Sequence, residues 1–177
     1  MFDSALCAAL MREAQACPDA FRVTRVRGVP CLIFRGTAGF DDVKTDARFA
    51  FAALREARTS GRVHAGFLDA YRRLRIPPLR RPIVFGYSLG GALAVLHAAH
   101  RPVRAVYIVG APRVGDRAFA EAYARLAHPT FAVENVRDVV PYLPPGYERV
   151  GSRVPFEFGG TLAGRHSLDE YLNFVTE

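Results

Sequence analysis

Pro82-Ile83-Val84-Phe85-Gly86-Tyr87-Ser88-Leu89-Gly90-Gly91, continuing into Ala92-Leu93-Ala94-Val95-Leu96, is the stretch around which the chain is organised. Ile83 to Phe85 is a short apolar, β-favouring run. From Leu89 onward apolar residues recur at 89, 92, 93 and 96, the period of a helix face. A strand therefore turns abruptly into a helix with Ser88 at the bend. Such a bend has no room for side chains two residues to either side, and Gly86 and Gly90 stand at those places. It would lift the Ser88 hydroxyl clear of the sheet and aim the first free N–H groups of the helix at whatever the oxygen attacks. With 15 Gly in the chain, G-x-S-x-G arises by chance roughly 0.035 times. The strand before it and the helix after it therefore carry the reading.

Outward from this turn, strands and helices alternate: strand 82–87, helix 89–100, strand 104–109, helix 116–127, strand 130–136. Such short spacings demand right-handed crossovers and a parallel sheet, with ligands bound beyond the carboxyl ends of the strands. Upstream, Ser4 to Ala16 reads as an amphipathic helix ended by Cys17-Pro18-Asp19. Phe21 to Arg27 and Cys31 to Arg35 read as two strands of an antiparallel hairpin joined at Gly28-Val29-Pro30. Phe40, Val43, Ala47, Phe51 and Leu54 stand at near-helical spacing within Ala38 to Arg58, read either as a surface helix or as a movable cover. Val63-His64-Ala65-Gly66-Phe67 introduces a further helix that Pro77-Pro78 ends. After Pro141 come two expected short strands, Tyr147 to Val150 and Pro155 to Phe158, and His166-Ser167-Leu168 opens a last helix. The fold class expected is α/β: one domain over 1–177, a mostly parallel central sheet with an antiparallel N-terminal hairpin, and helices on both faces.

A serine hydroxyl is a weak nucleophile at neutral pH and needs an imidazole to take its proton and a carboxylate to orient that imidazole. In α/β-hydrolases the order along the chain is Ser, then Asp or Glu, then His. His64 precedes Ser88, while His97, His100 and His128 precede the best carboxylate, which leaves His166. Among the later aspartates, Asp116 follows Gly115 at a helix start and reads as an N-cap. Asp169 reads as a first-turn charge. Asp138, just beyond a strand's carboxyl end, is the candidate orienting acid. The Leu89 N–H, with the Thr37 N–H from the turn Arg35-Gly36-Thr37, would hold a developing oxyanion. His64 reads as a polar group satisfied in the packing nearby.

Half of the 177 residues are hydrophobic, which excludes a disordered chain. Three cysteines, Cys7, Cys17 and Cys31, give an odd number unsuited to a disulfide framework. Met1-Phe2-Asp3-Ser4 lacks the basic region of a signal peptide, so a cytoplasmic location is expected. The net charge is +7, yet all the basic residues but Lys44 are Arg, scattered except for Arg72, Arg73, Arg75, Arg80 and Arg81. That cluster reads as a solvated face or a peripheral contact with anionic membrane. No pattern resembles a nucleic-acid-binding motif.

These residues resemble the class 3 lipase family, the fungal-lipase-like α/β-hydrolases. The resemblance is carried by Ile33-Phe34-Arg35-Gly36-Thr37, Val63-His64-Ala65-Gly66-Phe67, Gly86-Tyr87-Ser88-Leu89-Gly90-Gly91, Gly110-Ala111-Pro112-Arg113-Val114-Gly115-Asp116, Asp138-Val139-Val140-Pro141-Tyr142-Leu143-Pro144-Pro145 and His166. It implies Ser88, Asp138 and His166 as catalytic triad, Thr37 with Leu89 as oxyanion hole, and hydrolysis of small-molecule or lipid carboxylic esters through an acyl-enzyme. No cofactor or metal is implied. The cover after Thr37 is heavily charged and has no Trp, which implies weak activation at a lipid surface. The alternatives are a phospholipase or acyltransferase docked on membrane lipid through the Arg72 to Arg81 cluster, and a non-catalytic binding protein on the same fold.

Overall fold

The computed structural model of the protein describes residues 1–36, 51–54 and 57–177. Its first helix, α1 (Ser4–Gln15), starts where the Asp3 side chain accepts a hydrogen bond from the Leu6 N–H at 2.8 Å. Strands β1 (Phe21–Val26) and β2 (Val29–Phe34) form the antiparallel hairpin. Its turn is tighter than expected, Arg27-Gly28, with φ of 50° and 77°, the mirror-image turn that suits strand twist. Pro30 therefore falls inside β2. This costs no pairing, because Val26 and Val29 close the turn and the neighbouring strand that starts at Ile83 pairs only from Cys31 onward.

The main sheet runs β1-β2-β5-β6-β7-β8, where β5 is Ile83–Tyr87, β6 Ala105–Val109, β7 Thr130–Asn135 and β8 Ser152–Phe156; every pair after the hairpin is parallel. Side chains alternate across it. Cys31, Ile33, Phe85, Tyr107 and Val109 pack under α1 and the last helix, α6 (Leu168–Thr176). Leu32, Phe34, Val84, Val106 and Ile108 pack under α2 (Ala65–Arg73), α3 (Leu89–His100) and α4 (Arg117–Ala124). The helix after the Ser88 turn, α3, is buried from Gly90 to Ala99, so it reads as apolar on all sides rather than amphipathic. Among the described residues no helix is long and apolar enough to cross a membrane. All three cysteines are free and buried.

Two expectations fail. Phe51–Ala53 is not helical; it is strand β3, paired antiparallel with β4 (Arg62–His64) in a separate two-stranded sheet. The Phe51 ring stacks on Tyr147, centroids 4.3 Å apart, with the Arg62 guanidinium 4.6 Å over its other side. Partners distant in sequence thus override a helical spacing. The rest of the expected segment, apart from Leu54, Ala57 and Arg58, lies outside the described residues. Tyr147 to Val150 does not form a strand of the main sheet. Glu148 makes only an isolated bridge to Gly115, and Gly151, at φ 81°, turns the chain into β8. Arg149 and Arg153 both reach back to the buried Glu134 carboxylate at 2.7 Å. That paired charge fixes where β8 joins the sheet edge.

Candidate active site

The Ser88 turn takes its shape from steric exclusion. A Cβ on Gly86 would lie 2.0 Å from the Gly90 carbonyl oxygen, and one on Gly90 would lie 2.4 Å from the Phe34 carbonyl oxygen. The strand and the helix can close on each other only where both residues lack side chains. Ser88 itself has φ 54° and ψ −127°, a strained conformation, held by its N–H bonding to Val109 O at 2.9 Å. Leu89 is the first residue of α3, where backbone N–H groups have no partner within the helix.

Asp138 follows β7 by three residues and is 2% exposed. Its Oδ1 accepts the Val140 N–H at 3.0 Å, closing a local turn. Its Oδ2 faces His166 Nδ1 at 2.6 Å, a geometry that places the imidazole proton on Nδ1. His166 Nε2 then carries the accepting lone pair, and it lies 2.9 Å from Ser88 Oγ. His166 sits between the short helix α5 (Leu162–Arg165) and α6, whose N-cap is Ser167. The structure thus brings together the three residues singled out from the sequence. Such a chain can draw the proton from a hydroxyl while a buried carboxylate supports the imidazolium that forms. Thr37 lies outside the described residues. Gly36, next to it, runs so close to the site that a Cβ there would be 2.9 Å from Tyr87 O and 3.2 Å from Ser88 Cβ.

Asp116 and Asp169 take the structural places expected. Asp116 caps α4 through the Phe119 N–H at 2.9 Å and pairs with Arg62 Nε at 3.0 Å. Those bonds hold its carboxyl below the usual range even though its partial burial opposes them. Asp169 lies in the first turn of α6. His64 caps α2, with Nδ1 accepting the Phe67 N–H at 3.4 Å, and stacks on the Phe67 ring.

Three residues that the sequence reading passed over position this site. The Tyr171 hydroxyl donates to Asp138 Oδ2 at 2.8 Å and accepts the Asn135 N–H at 3.1 Å. Burial first, and then the Asp138 charge, push its phenol well above the usual range, so it stays a donor. Asn135, fully buried, donates its side-chain amide to Phe158 O and Arg165 O at 3.1 and 3.0 Å. It thereby ties the segment carrying His166 to the strand that delivers Asp138. Tyr87 stacks on the His166 ring and donates its hydroxyl to His166 O. A polar amide closing an apolar strand three residues before Asp138 was the available signal for Asn135; Tyr171, on a separate helix, offered none.

The family model described as Lipase (class 3) matches residues 31–148, a range that contains Ser88 and Asp138 and stops short of His166. A lipase of Rhizopus niveus is 33% identical over 135 residues, covering 64% of this chain and 34% of that protein. A lipase of Rhizomucor miehei is 33% identical over 136 residues, 64% of this chain and 37% of that one. The solved lipase from Rhizopus microsporus var. chinensis superposes with a TM-score of 0.61 at 28% identity, covering 79% of this chain and 57% of that chain. The chain spans about a third of the length of these curated relatives. The architecture is the α/β-hydrolase fold, with its mostly parallel sheet and antiparallel hairpin. With that fold in place and the family pattern running through β2, the Ser88 turn and the Asp138 loop, this chain belongs to the class 3 lipase family.

Proposed function

We propose that the protein is a serine hydrolase that cleaves carboxylic esters of lipid character through an acyl-enzyme. The observation that carries this is the buried hydrogen-bond chain Ser88–His166–Asp138, at 2.9 and 2.6 Å, on a strained turn at the carboxyl end of β5. His166 Nε2 takes the Ser88 proton as Oγ attacks the ester carbonyl, and Asp138 stabilises the resulting imidazolium. The Leu89 and Thr37 amides hold the oxyanion. His166 then returns the proton to the leaving alcohol, and water, activated by the same imidazole, releases the acid. Exposed apolar side chains support an apolar acyl substrate: Val136, Val139 and Tyr142 flank Asp138 in sequence and are exposed. The membrane-docked alternative is disfavoured, because Arg80 and Arg81 precede β5 while Ser88 follows it. A bilayer bound at that end would face away from Ser88.

The test is hydrolysis of p-nitrophenyl esters from acetate to palmitate, below and above their solubility limits. We expect cleavage of soluble short esters with no sharp rate rise on aggregation, since the segment after Thr37 is too charged to offer a large apolar underside. A jump at the solubility limit would instead assign an interfacial lipase, and no turnover of any ester would leave only a binding protein on this fold.

Tyr171→Phe checks the positioning role assigned to that hydroxyl. Asp138 loses the donor that holds its Oδ2 in place, so the carboxylate orients the His166 ring less well. The expected result is kcat reduced about tenfold, roughly 1.4 kcal/mol, with KM little changed. Loss of stability with kcat unchanged would make Tyr171 a packing residue only.

A further inference from the structure

Between residues 65 and 104 the chain holds seven arginines, at 72, 73, 75, 80, 81, 101 and 104, against one acid, Asp69. That is a net +6 of the whole chain's +7. All seven are exposed, and among the described residues none of them is in an ion pair, although seven other arginines are. Helices α2 and α3 both end on this side, and β5 and β6 both begin there. The Arg104 N–H bonds Pro82 O at 2.9 Å, joining the segments that lead into those strands.

Two of these arginines, Arg72 and Arg101, line a concavity. A groove of about 510 Å3 opens between the end of α2, the Pro77-Pro78 segment and the end of α3. Its walls are apolar, from Leu74, Ile76 and Leu79, and Arg72 and Arg101 stand in its lining as exposed cations. The buried His97 lines it too, bonded through Nδ1 to the Tyr71 hydroxyl at 3.2 Å. Burial first, and then Arg101 and His100, push the His97 imidazole down to about 4. It is therefore neutral at neutral pH and sits in a positive field. The two helix carboxyl ends contribute partial negative charge, about half an electron each, which the unpaired arginines outweigh. His97 lies nine residues along α3 from Ser88, about 13 Å at 1.5 Å per residue, so this groove is separate from the active site.

A groove of this size is within the range of small-molecule sites, about 300–1,000 Å3. Apolar walls with a cationic rim complement a molecule that has a hydrocarbon body and an anionic head. We propose that the groove binds a long-chain carboxylate, the anion that cleavage of a lipid ester releases; the choice of carboxylate rests on the ester-hydrolase reading. A membrane surface fits less well. The large exposed hydrophobics among the described residues all lie outside 65–104 in sequence, and Met1, exposed beside Ile83 and Arg104, is a single side chain rather than the broad apolar face that enters a bilayer.

The test is calorimetric titration of the full chain carrying Ser88→Ala with laurate below its aggregation limit, together with NMR of the His97 ring. The expected result is saturable one-site binding, a shifted His97 ring resonance, and an affinity at least tenfold weaker in Arg72→Gln/Arg101→Gln. Dodecanol, lacking the charge, should bind at least tenfold more weakly than laurate. The double variant on the wild-type background should keep its p-nitrophenyl butyrate turnover, since neither arginine is near Ser88. Three results would overturn the proposal. One is no saturable binding. Another is laurate binding indifferent to the two arginines, which would place it in the acyl site. The third is arginine-dependent binding of phosphatidylglycerol vesicles without laurate binding, which would make the face a membrane contact. Since binding is read in the Ser88→Ala protein, failure of the ester-hydrolase reading would show separately, as absent turnover in the wild type.

Discussion

Ser88→Ala is expected to lower kcat on p-nitrophenyl butyrate by about 10⁴-fold or more, with the fold intact. The substitution removes the hydroxyl proposed to form the acyl-enzyme and leaves the first backbone amides of α3 to act on an attacking water, so a small residual rate above solution remains. Alanine keeps the same Cβ, and so the strain at φ 54° is unchanged. Only the 2.9 Å contact with His166 is lost. The melting temperature should therefore stay within a few degrees of the wild type, about 1 kcal/mol for a chain of this size. His166→Ala should cost about as much as Ser88→Ala, and the double variant scarcely more, because the three groups work as one unit. Near-wild-type turnover by purified Ser88→Ala would remove Ser88 from the mechanism and with it the acyl-enzyme.

Among the described glycines, Gly86→Ala is expected to be the most damaging single-methyl change. The new Cβ would meet the Gly90 carbonyl oxygen at 2.0 Å and its carbon at 2.3 Å. Both are backbone atoms, so no rotamer change relieves the clash; β5 and α3 must separate. A separation there opens the core around Phe34, Val84 and Ala92 and displaces Ser88 from His166. The expected cost is above about 4 kcal/mol, in the exceptional range for a point substitution and a large part of a domain's total stability of about 5–15 kcal/mol. Thermal denaturation should show a fall of about 10 °C or more, or the protein should be recovered insoluble. Gly159→Ala is the matched control: a Cβ there has nothing within 4 Å, and the variant should melt like the wild type. Equal melting temperatures for the two variants would show that the turn does not depend on close approach at Gly86.

What could be read from the sequence and what could not divide along a physical line. The Ser88 turn was legible because its constraints are local. Two glycines two residues from the serine, a β-favouring run before it and a helical period after it describe one steric solution. The hairpin was legible for the same reason, though its turn moved by one residue to the left-handed pair Arg27-Gly28. Asp116 announced itself by following Gly115 at a helix start. His166 was reached by exclusion along the chain order rather than by any local signal. Its placement 2.9 Å from Ser88 depends on Asn135 and on the Arg165 carbonyl that Asn135 holds.

Tertiary contacts decided the rest. Phe51–Ala53 is a strand because β4 and the Tyr147 ring are there to receive it, and a helical spacing of three between Phe51 and Leu54 is too short a run to prevail over those partners. Tyr171 meets Asp138 from a different helix, 33 residues on, and no periodicity encodes which buried phenol faces which carboxylate. Arg72, Arg73, Arg75, Arg80 and Arg81 read as a cluster in sequence, whereas Arg101 did not belong to it. Only the packing of α2 against α3 brought Arg72 and Arg101 into the lining of one groove, at the end of the sheet away from Ser88. The sequence by itself determined where backbone geometry allowed a single local answer; the tertiary structure decided which distant side chains share a site, because that depends on how whole elements pack and not on the residues beside them.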